Sequence, residues 1–314
     1  MQNFKFIDLF CGIGGIRIPF EEKGGICVFS SEIDKYAQQT YEANFGEKPH
    51  GDITKIEPKN IPDHDILLAG FPCQPFSIIG EKKGFADTRG TLFFNIESIL
   101  KAKRPQCFLL ENVKGLRSHD SGNTFKTIVL KLEELGYKVY TTVLNSLDFG
   151  IPQKRERTFI VGFLEEVDFS FPRPTKNRTA LETILESDNQ VDKSLFVSEE
   201  ILKKRMEKVK EGYPIPSIWH ENKNGNISAL PYSCALRAGG SYNYLLINGV
   251  RRPSSRELLR LQGFPENFKI VVSYTQHRKQ LGNSVSVPVI RAIADKIMEA
   301  MQKNTNSILT KKAS

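Results

Sequence analysis

Short apolar runs alternate with helix-spaced segments over the first 165 residues. Runs at 4–10, 26–30, 65–69, 106–110, 138–144 and 157–163 each have the length of one strand. Segments 35–44, 92–102 and 123–135 carry helical spacing. Strands joined through helices need crossover connections, so the pattern predicts an α/β fold with a mostly parallel sheet covered on both faces. Two prolines in Phe171-Pro172-Arg173-Pro174 end the alternation and predict a boundary. Beyond it the spacing predicts one helix over 198–211, then turn-rich sequence to about residue 250, and further helices over 254–263 and 287–301. The tail from Gln302 is polar and is expected to fray. The organisation read from this is a first domain over 1–172, a smaller loop-rich one over 173–272, and a C-terminal segment, 273–314.

Composition changes this picture little. Lys and Arg total 44 against 36 Asp and Glu, a net charge of +8, which suits a polyanionic partner without requiring one. The five cysteines, at 11, 27, 73, 107 and 234, contain no C-x-x-C pair. That argues against a disulfide framework or a metal site and for a reducing, cytoplasmic location. No run approaches the length of a membrane span, and Asp8 interrupts the first apolar stretch too early for a leader peptide.

Four segments carry candidate chemistry. The first run ends in Asp8-Leu9-Phe10-Cys11-Gly12-Ile13-Gly14-Gly15. Such glycines let a ligand approach the backbone at the carboxyl edge of the sheet. The spacing is not G-x-G-x-x-G, which disfavours a dinucleotide pyrophosphate site. Glu32, after the second run, suits two ribose hydroxyls, and Asp52 suits an adenine amino group. Together they describe a nucleoside site without a phosphate cradle, which S-adenosylmethionine fits. The second segment is Gly70-Phe71-Pro72-Cys73-Gln74-Pro75-Phe76-Ser77. A cysteine between prolines at a sheet edge suits a nucleophile, although a single cysteine is more often a small buried hydrophobe. The third is Leu109-Leu110-Glu111-Asn112-Val113, with an acid at the same edge, or else Asn112 as a helix cap over a solvated Glu111. In the fourth, Gln153-Lys154-Arg155-Glu156-Arg157, an extended backbone puts Gln153, Arg155 and Arg157 on one face. Two guanidiniums there can bind an acceptor oxygen and balance Glu111.

In this order, these segments resemble the DNA cytosine-5 methyltransferases, and the first 165 residues resemble the bacterial HhaI-type enzymes in particular. The resemblance continues through Arg89-Gly90-Thr91-Leu92-Phe93, Arg256 to Pro265 and Gly282-Asn283-Ser284-Val285. The departures are mild: Cys11 stands where a small Ala or Ser is common, and Ile13 is apolar. The resemblance implies a Rossmann-like S-adenosylmethionine-dependent methyltransferase fold with a target recognition domain in the variable stretch 173–250. It implies that Phe10, Gly12, Gly14, Gly15, Glu32, Ile33, Asp52, Ile53 and Pro72 bind the cofactor. Leu92, Asn283 and Ser284 would close that pocket, and no metal is expected.

The resemblance further implies that Cys73 adds to C6 of a cytosine flipped out of double-stranded DNA, making C5 nucleophilic toward the sulfonium methyl. Glu111 would hold N3 and the amino group, Arg155 would bind O2, and Arg157 would orient Glu111 or a phosphate. Lys82, Lys83 and Arg89 would lie in a basic loop closing over DNA; Arg237, Ser241, Tyr242 and Asn243 would be the base readers. A monomer serving bacterial restriction–modification is the expectation. Two alternatives share these residues in part: a transfer-RNA cytosine-5 methyltransferase and an inactive DNA-binding regulator. The Asp/Asn-Pro-Pro-aromatic signature of amino-group methyltransferases does not occur.

Overall fold

The computed structural model describes residues 4–72, 92–175 and 178–313. Two compact units emerge: Met1–Leu144, Glu156–Arg173 and Ile290–Ser314 form the first, Asn145–Arg155 and Pro174–Val289 the second. Among the described residues no helix is long and apolar enough to cross a membrane.

The first unit runs β1 (Lys5–Leu9), α1 (Arg17–Glu22), β2 (Ile26–Ser31), α2 (Lys35–Phe45), β3 (Ile66–Gly70), α3 (Leu92–Lys103), β4 (Cys107–Val113), α4 (Asn123–Glu134) and β5 (Lys138–Asn145). After β6 (Gln153–Lys154), which belongs to the second unit, β7 (Glu156–Phe163) completes a six-stranded sheet in the order β2-β1-β3-β4-β7-β5. β1 pairs in parallel with β2 and β3, and β3 with β4; β7 runs antiparallel to β4. The central strands are apolar at consecutive positions because both faces are covered: Ile66 to Ala69 and Cys107 to Leu110 are fully buried. One face packs Leu9, Leu67 and Phe108 against Ile96 and Ile99 of α3 and Ile128 of α4. Elsewhere the rings of Phe4, Phe6 and Phe20 cluster, with centroids 6.0 to 6.5 Å apart. The mostly parallel sheet expected from the alternation is therefore present.

The second unit is assembled from shorter pieces. α5 (Glu199–Met206) starts at the Ser198 N-cap and stops short of the expected residue 211. β8 (Ile218–Glu221), β9 (Ile227–Leu230), β10 (Ser233–Cys234) and β11 (Leu245–Ile247) follow, then α6 (Ser255–Gln262), α7 (Tyr274–Asn283) and α8 (Val287–Ala313). α8 enters the first unit at Ile290. Its backbone stays helical to Ala313, so the expected fraying from Gln302 is not seen. β11, β8 and β9 form an antiparallel sheet around Trp219, which is fully buried against Ile227 and Leu246. β6 pairs in parallel with β10. Beneath α6, Arg251 makes a two-pronged ion pair with Glu257, each bond 2.8 Å, and Glu257 also closes a capping box with Ser254.

Candidate active site

The turn after β1 is shaped by left-handed backbone at Phe10, Gly12 and Gly14. A Cβ on Gly14 would come within 2.2 Å of the Phe45 ring, so only glycine lets the turn lie this close to α2. Glu32 is fixed from the backbone: Gly12 N–H donates to Oε2 (2.9 Å) and Asp34 N–H to Oε1 (2.8 Å). Burial pushes the Glu32 carboxyl up, and these backbone donors pull it down. Ile33 beside it is 72% exposed, an apolar surface open to a flat ligand. Asp52 caps the short helix Ile53–Lys55 through Oδ1, which accepts from the Thr54 N–H and hydroxyl. Its Oδ2 accepts nothing among the described residues. A held carboxylate, an exposed apolar side chain and an available carboxylate oxygen fit the ribose, base and amino group of a nucleoside. Pro72 is exposed at the end of β3, and Leu92 begins α3 half-buried.

Beneath the turn lies a feature the sequence did not reveal. Asp8 is fully buried, and among the described residues no group lies within full hydrogen-bond geometry of either carboxylate oxygen. Burial pushes its carboxyl up to about 8, against the pull of Arg17. Arg17 is itself buried, donating to Tyr41 Oη (2.9 Å) and pairing with Glu21 and Glu47. Full burial behind an apolar run leaves no mark in the sequence beyond the acid itself.

At the end of β4, Glu111 is buried and pairs with Arg157 Nε of β7 at 3.1 Å. The register makes this natural: Glu111 lies opposite Gly70 of β3, and Val113 opposite Arg157. Burial lowers the Arg157 guanidinium, and Glu111 counters it. Asn112 caps no helix. Its amide donates to the Phe71 carbonyl (2.9 Å), tying the approach to Pro72 to β4. Cys73, Lys82, Lys83 and Arg89 lie outside the described residues. Of the other cysteines, burial raises the thiols of Cys11 and Cys107, and pushes Cys27 up to about 12 and Cys234 up to about 11.

The expected common face of Gln153, Arg155 and Arg157 is divided between the units, because the strand breaks at Arg155 between β6 and β7. Arg157 serves the first unit. Arg155, buried in the second, donates from Nη1 to the Leu236 carbonyl (3.0 Å) and from Nη2 to the carbonyls of Gly282 (3.2 Å) and Ser284. Gln153 donates to Leu261 O and accepts from Leu236 N–H. Asn283 is exposed at the end of α7, and Ser284 is buried. Among the expected base readers, Arg237, Ser241 and Tyr242 are exposed, whereas Asn243 is half-buried with Oδ1 accepting from Arg252.

Comparison with known proteins places the chain in a family. Residues 4–299 match the model of the C-5 cytosine-specific DNA methylase family. The chain is 63% identical over 308 residues to the type II methyltransferase M.HaeII of Haemophilus aegyptius, covering 98% of this chain and 97% of that protein. It is 64% identical over 289 residues to M.NgoBI of Neisseria gonorrhoeae, covering 92% and 91%. Among solved structures, a Spodoptera frugiperda DNMT2 variant superposes with a TM-score of 0.75 at 22% identity, covering 94% of this chain and 100% of that one. A putative DNA modification methyltransferase from an Escherichia coli prophage superposes with a TM-score of 0.72 at 21% identity, covering 96% and 100%. These two show the fold alone. With the family model matched across almost its whole length, the chain belongs to the C-5 cytosine-specific DNA methylases.

Proposed function

We propose that this methyltransferase modifies C5 of a cytosine within a short duplex site, as the modification partner of a type II restriction system, through a covalent Cys73 adduct. Relatives more than 60% identical over almost the whole chain are type II methyltransferases, which supports the system assigned. The transfer-RNA alternative has no comparable support.

The chemistry follows from the ring. C5 of cytosine is a weak nucleophile, and a thiolate bonded to C6 makes it enamine-like. Bond formation from Cys73 sulfur to C6 pushes an electron pair toward N3 and O2. Glu111, carrying a proton, donates to N3, and the Arg157 guanidinium beside it stabilises the charge on the ring. S-adenosylmethionine, held through Glu32, Ile33 and Asp52, supplies an electrophilic methyl group when bound. Once C5 carries the methyl, loss of the C5 proton to a base, return of the N3 proton to Glu111 and departure of the Cys73 thiolate restore the aromatic ring. Both ring faces must be reached, so the base leaves the helix, at a cost of about a few kcal/mol. Arg155, expected at O2, has a geometry that instead supports the organisation of three carbonyls in the second unit.

The observation that carries this reading is the arrangement at the end of β4. The Glu111–Arg157 pair stands next to Asn112, and Asn112 holds the Phe71 carbonyl two residues before Cys73. The four described thiols are all raised by burial, which leaves Cys73 as the candidate nucleophile. Purified protein incubated with plasmid DNA and labelled S-adenosylmethionine should deposit 5-methylcytosine at one short sequence, mapped by bisulfite sequencing. Label on the N4 amino group, or label in transfer RNA but not in DNA, would overturn the proposal.

A further inference from the structure

Three guanidiniums gather around three tyrosine rings in the second unit. Arg252 lies 4.3 Å from the Tyr242 centroid, and Arg237 lies 4.7 Å from that of Tyr244. Arg278, on α7, lies 5.1 Å from Tyr242, 5.7 Å from Tyr244 and 5.8 Å from Tyr274. Arg252, Arg278 and the three tyrosines line one shallow surface depression. Tyr242 is 49% exposed at its rim.

The partners of these cations differ from those of three other arginines in the unit, although Arg155 and Arg256 also donate to carbonyls. Arg205, Arg251 and Arg260, in the same unit, each pair with a carboxylate. Arg237, Arg252 and Arg278 donate instead to neutral groups among the described residues. Arg237 meets His220 Nε2 at 3.4 Å, and Arg252 reaches Asn243 Oδ1 at 2.8 Å and the Ser194 carbonyl. Arg278 uses only Nη2, on the carbonyls of Ser241 (2.9 Å) and Gly240 (3.5 Å). Its Nε and Nη1 donate to no described residue, and Arg252 Nε is likewise unpartnered.

Neutral acceptors fix these side chains in place and leave their charges unbalanced. Like charges gathered around shared rings repel, and the repulsion is relieved when an anion settles among them. Nε and Nη1 of Arg278 lie on different sides of the guanidinium, and Nη1, which donates to no described residue, can donate to one phosphate oxygen. The same guanidinium grips the 240–241 backbone through Nη2, so a group bound at Nη1 is referenced directly to the loop at 241–243. Contacts to phosphates position a protein on DNA, and contacts to base edges specify the sequence.

We infer that Arg278, with Arg252 and the Tyr242 ring behind it, forms a seat for one backbone phosphodiester of duplex DNA, and that this seat sets the register of Arg237 and residues 241–243 on the bases. The inference rests on the DNA-modifying reading above and adds a positioning site to it. Arg252 is buried and supplies charge and support; Arg278 supplies the contact.

The test is duplex binding followed by fluorescence anisotropy from about 50 to 200 mM salt, with the site mapped by bisulfite sequencing and a scrambled duplex of equal composition. Arg278→Gln should lower the slope of log K against log salt by about 0.9, the share of one phosphate, and weaken both duplexes by the same factor. Arg237→Gln should instead erode the preference for the mapped site. Should the glutamine variant melt early, Arg278→Lys carries the test: it keeps the charge, so the salt slope should hold while binding to both duplexes weakens equally. An unchanged slope in folded Arg278→Gln, or a loss confined to the mapped duplex in either Arg278 variant, overturns the seat. A wild-type protein that neither binds nor methylates DNA defeats the parent reading instead.

Discussion

Replacing Arg251 by methionine tests how the second unit is held together. Arg251 and Glu257 are 1% and 0% exposed, and two parallel bonds of 2.8 Å join them. Glu257 also accepts from the backbone N–H groups of Ser254 (2.7 Å) and Glu186 (2.8 Å), so one carboxylate binds the start of α6 to residues 186 and 251. Methionine fills most of the arginine volume but leaves Glu257 charged and buried with only those two backbone donors. Breaking one side of such a pair costs about 3–5 kcal/mol. At about 2–4 °C per kcal/mol, the melting temperature should fall by on the order of 10 °C. Arg251→Met/Glu257→Gln removes the stranded charge while retaining an acceptor for the backbone, and should recover about half of the loss, since a neutral buried group is far cheaper than an unpaired ion. Calorimetry on the wild type and the two variants measures this directly. A single variant melting within about 2 °C of wild type, less than the shift from 1 kcal/mol, would refute the reasoning, as would a double variant less stable than the single one.

Cys73→Ser should abolish methyl transfer while calorimetric titration still shows S-adenosylmethionine binding, and near-normal turnover would remove the covalent mechanism. Duplex DNA containing 5-fluorocytosine should trap an adduct that peptide mapping places on Cys73 and not on Cys11 or Cys234. Asp8 titrates near 8 in the folded chain against 3.8 unfolded, so the folded state holds the extra proton between those values and wild-type stability declines as pH rises through them. Asp8→Asn should therefore gain melting temperature over wild type as pH goes from about 5 to 8, whereas parallel curves would show that Asp8 is not the group responsible. His277, pushed down to about 4 by burial, works in the opposite sense: stability is lost as pH falls from 6.5 toward 4, and His277→Gln should flatten that acid limb in pH-dependent melts.

The first unit was legible because its strands are uninterrupted apolar runs. Five of the six predicted runs lie within a residue of β1, β2, β3, β5 and β7 at both ends, and the run at 106–110 became β4, which continues three residues further to Val113. α1 was missed: it is six residues long, carries Pro19 and has no side-chain cap. In the second unit β8 to β11 are two to four residues long, too short for an alternation to register, and their order is held by Trp219 and by arginine bonds to carbonyls. α7 went unseen because its buried positions are His277, Gln280 and Leu281, a mostly polar set. Glu111 and Glu32 could be picked out by their places after apolar runs. The division of Arg155 from Arg157 could not, since two-residue periodicity assumes an unbroken strand and β6 ends just before Arg155.

One glycine bears on how such a protein changes its target. A Cβ on Gly282 would stand 2.1 Å from the Ala238 nitrogen and 2.4 Å from the Arg237 carbonyl carbon, so two stretches of main chain touch with nothing between them. A stretch clamped in this way has little freedom to shift sideways. New sequence preferences should therefore arise by exchanging the exposed groups at 237, 241 and 242 on a fixed track, and a transplanted loop should work only if it arrives with a matching glycine-bearing helix end.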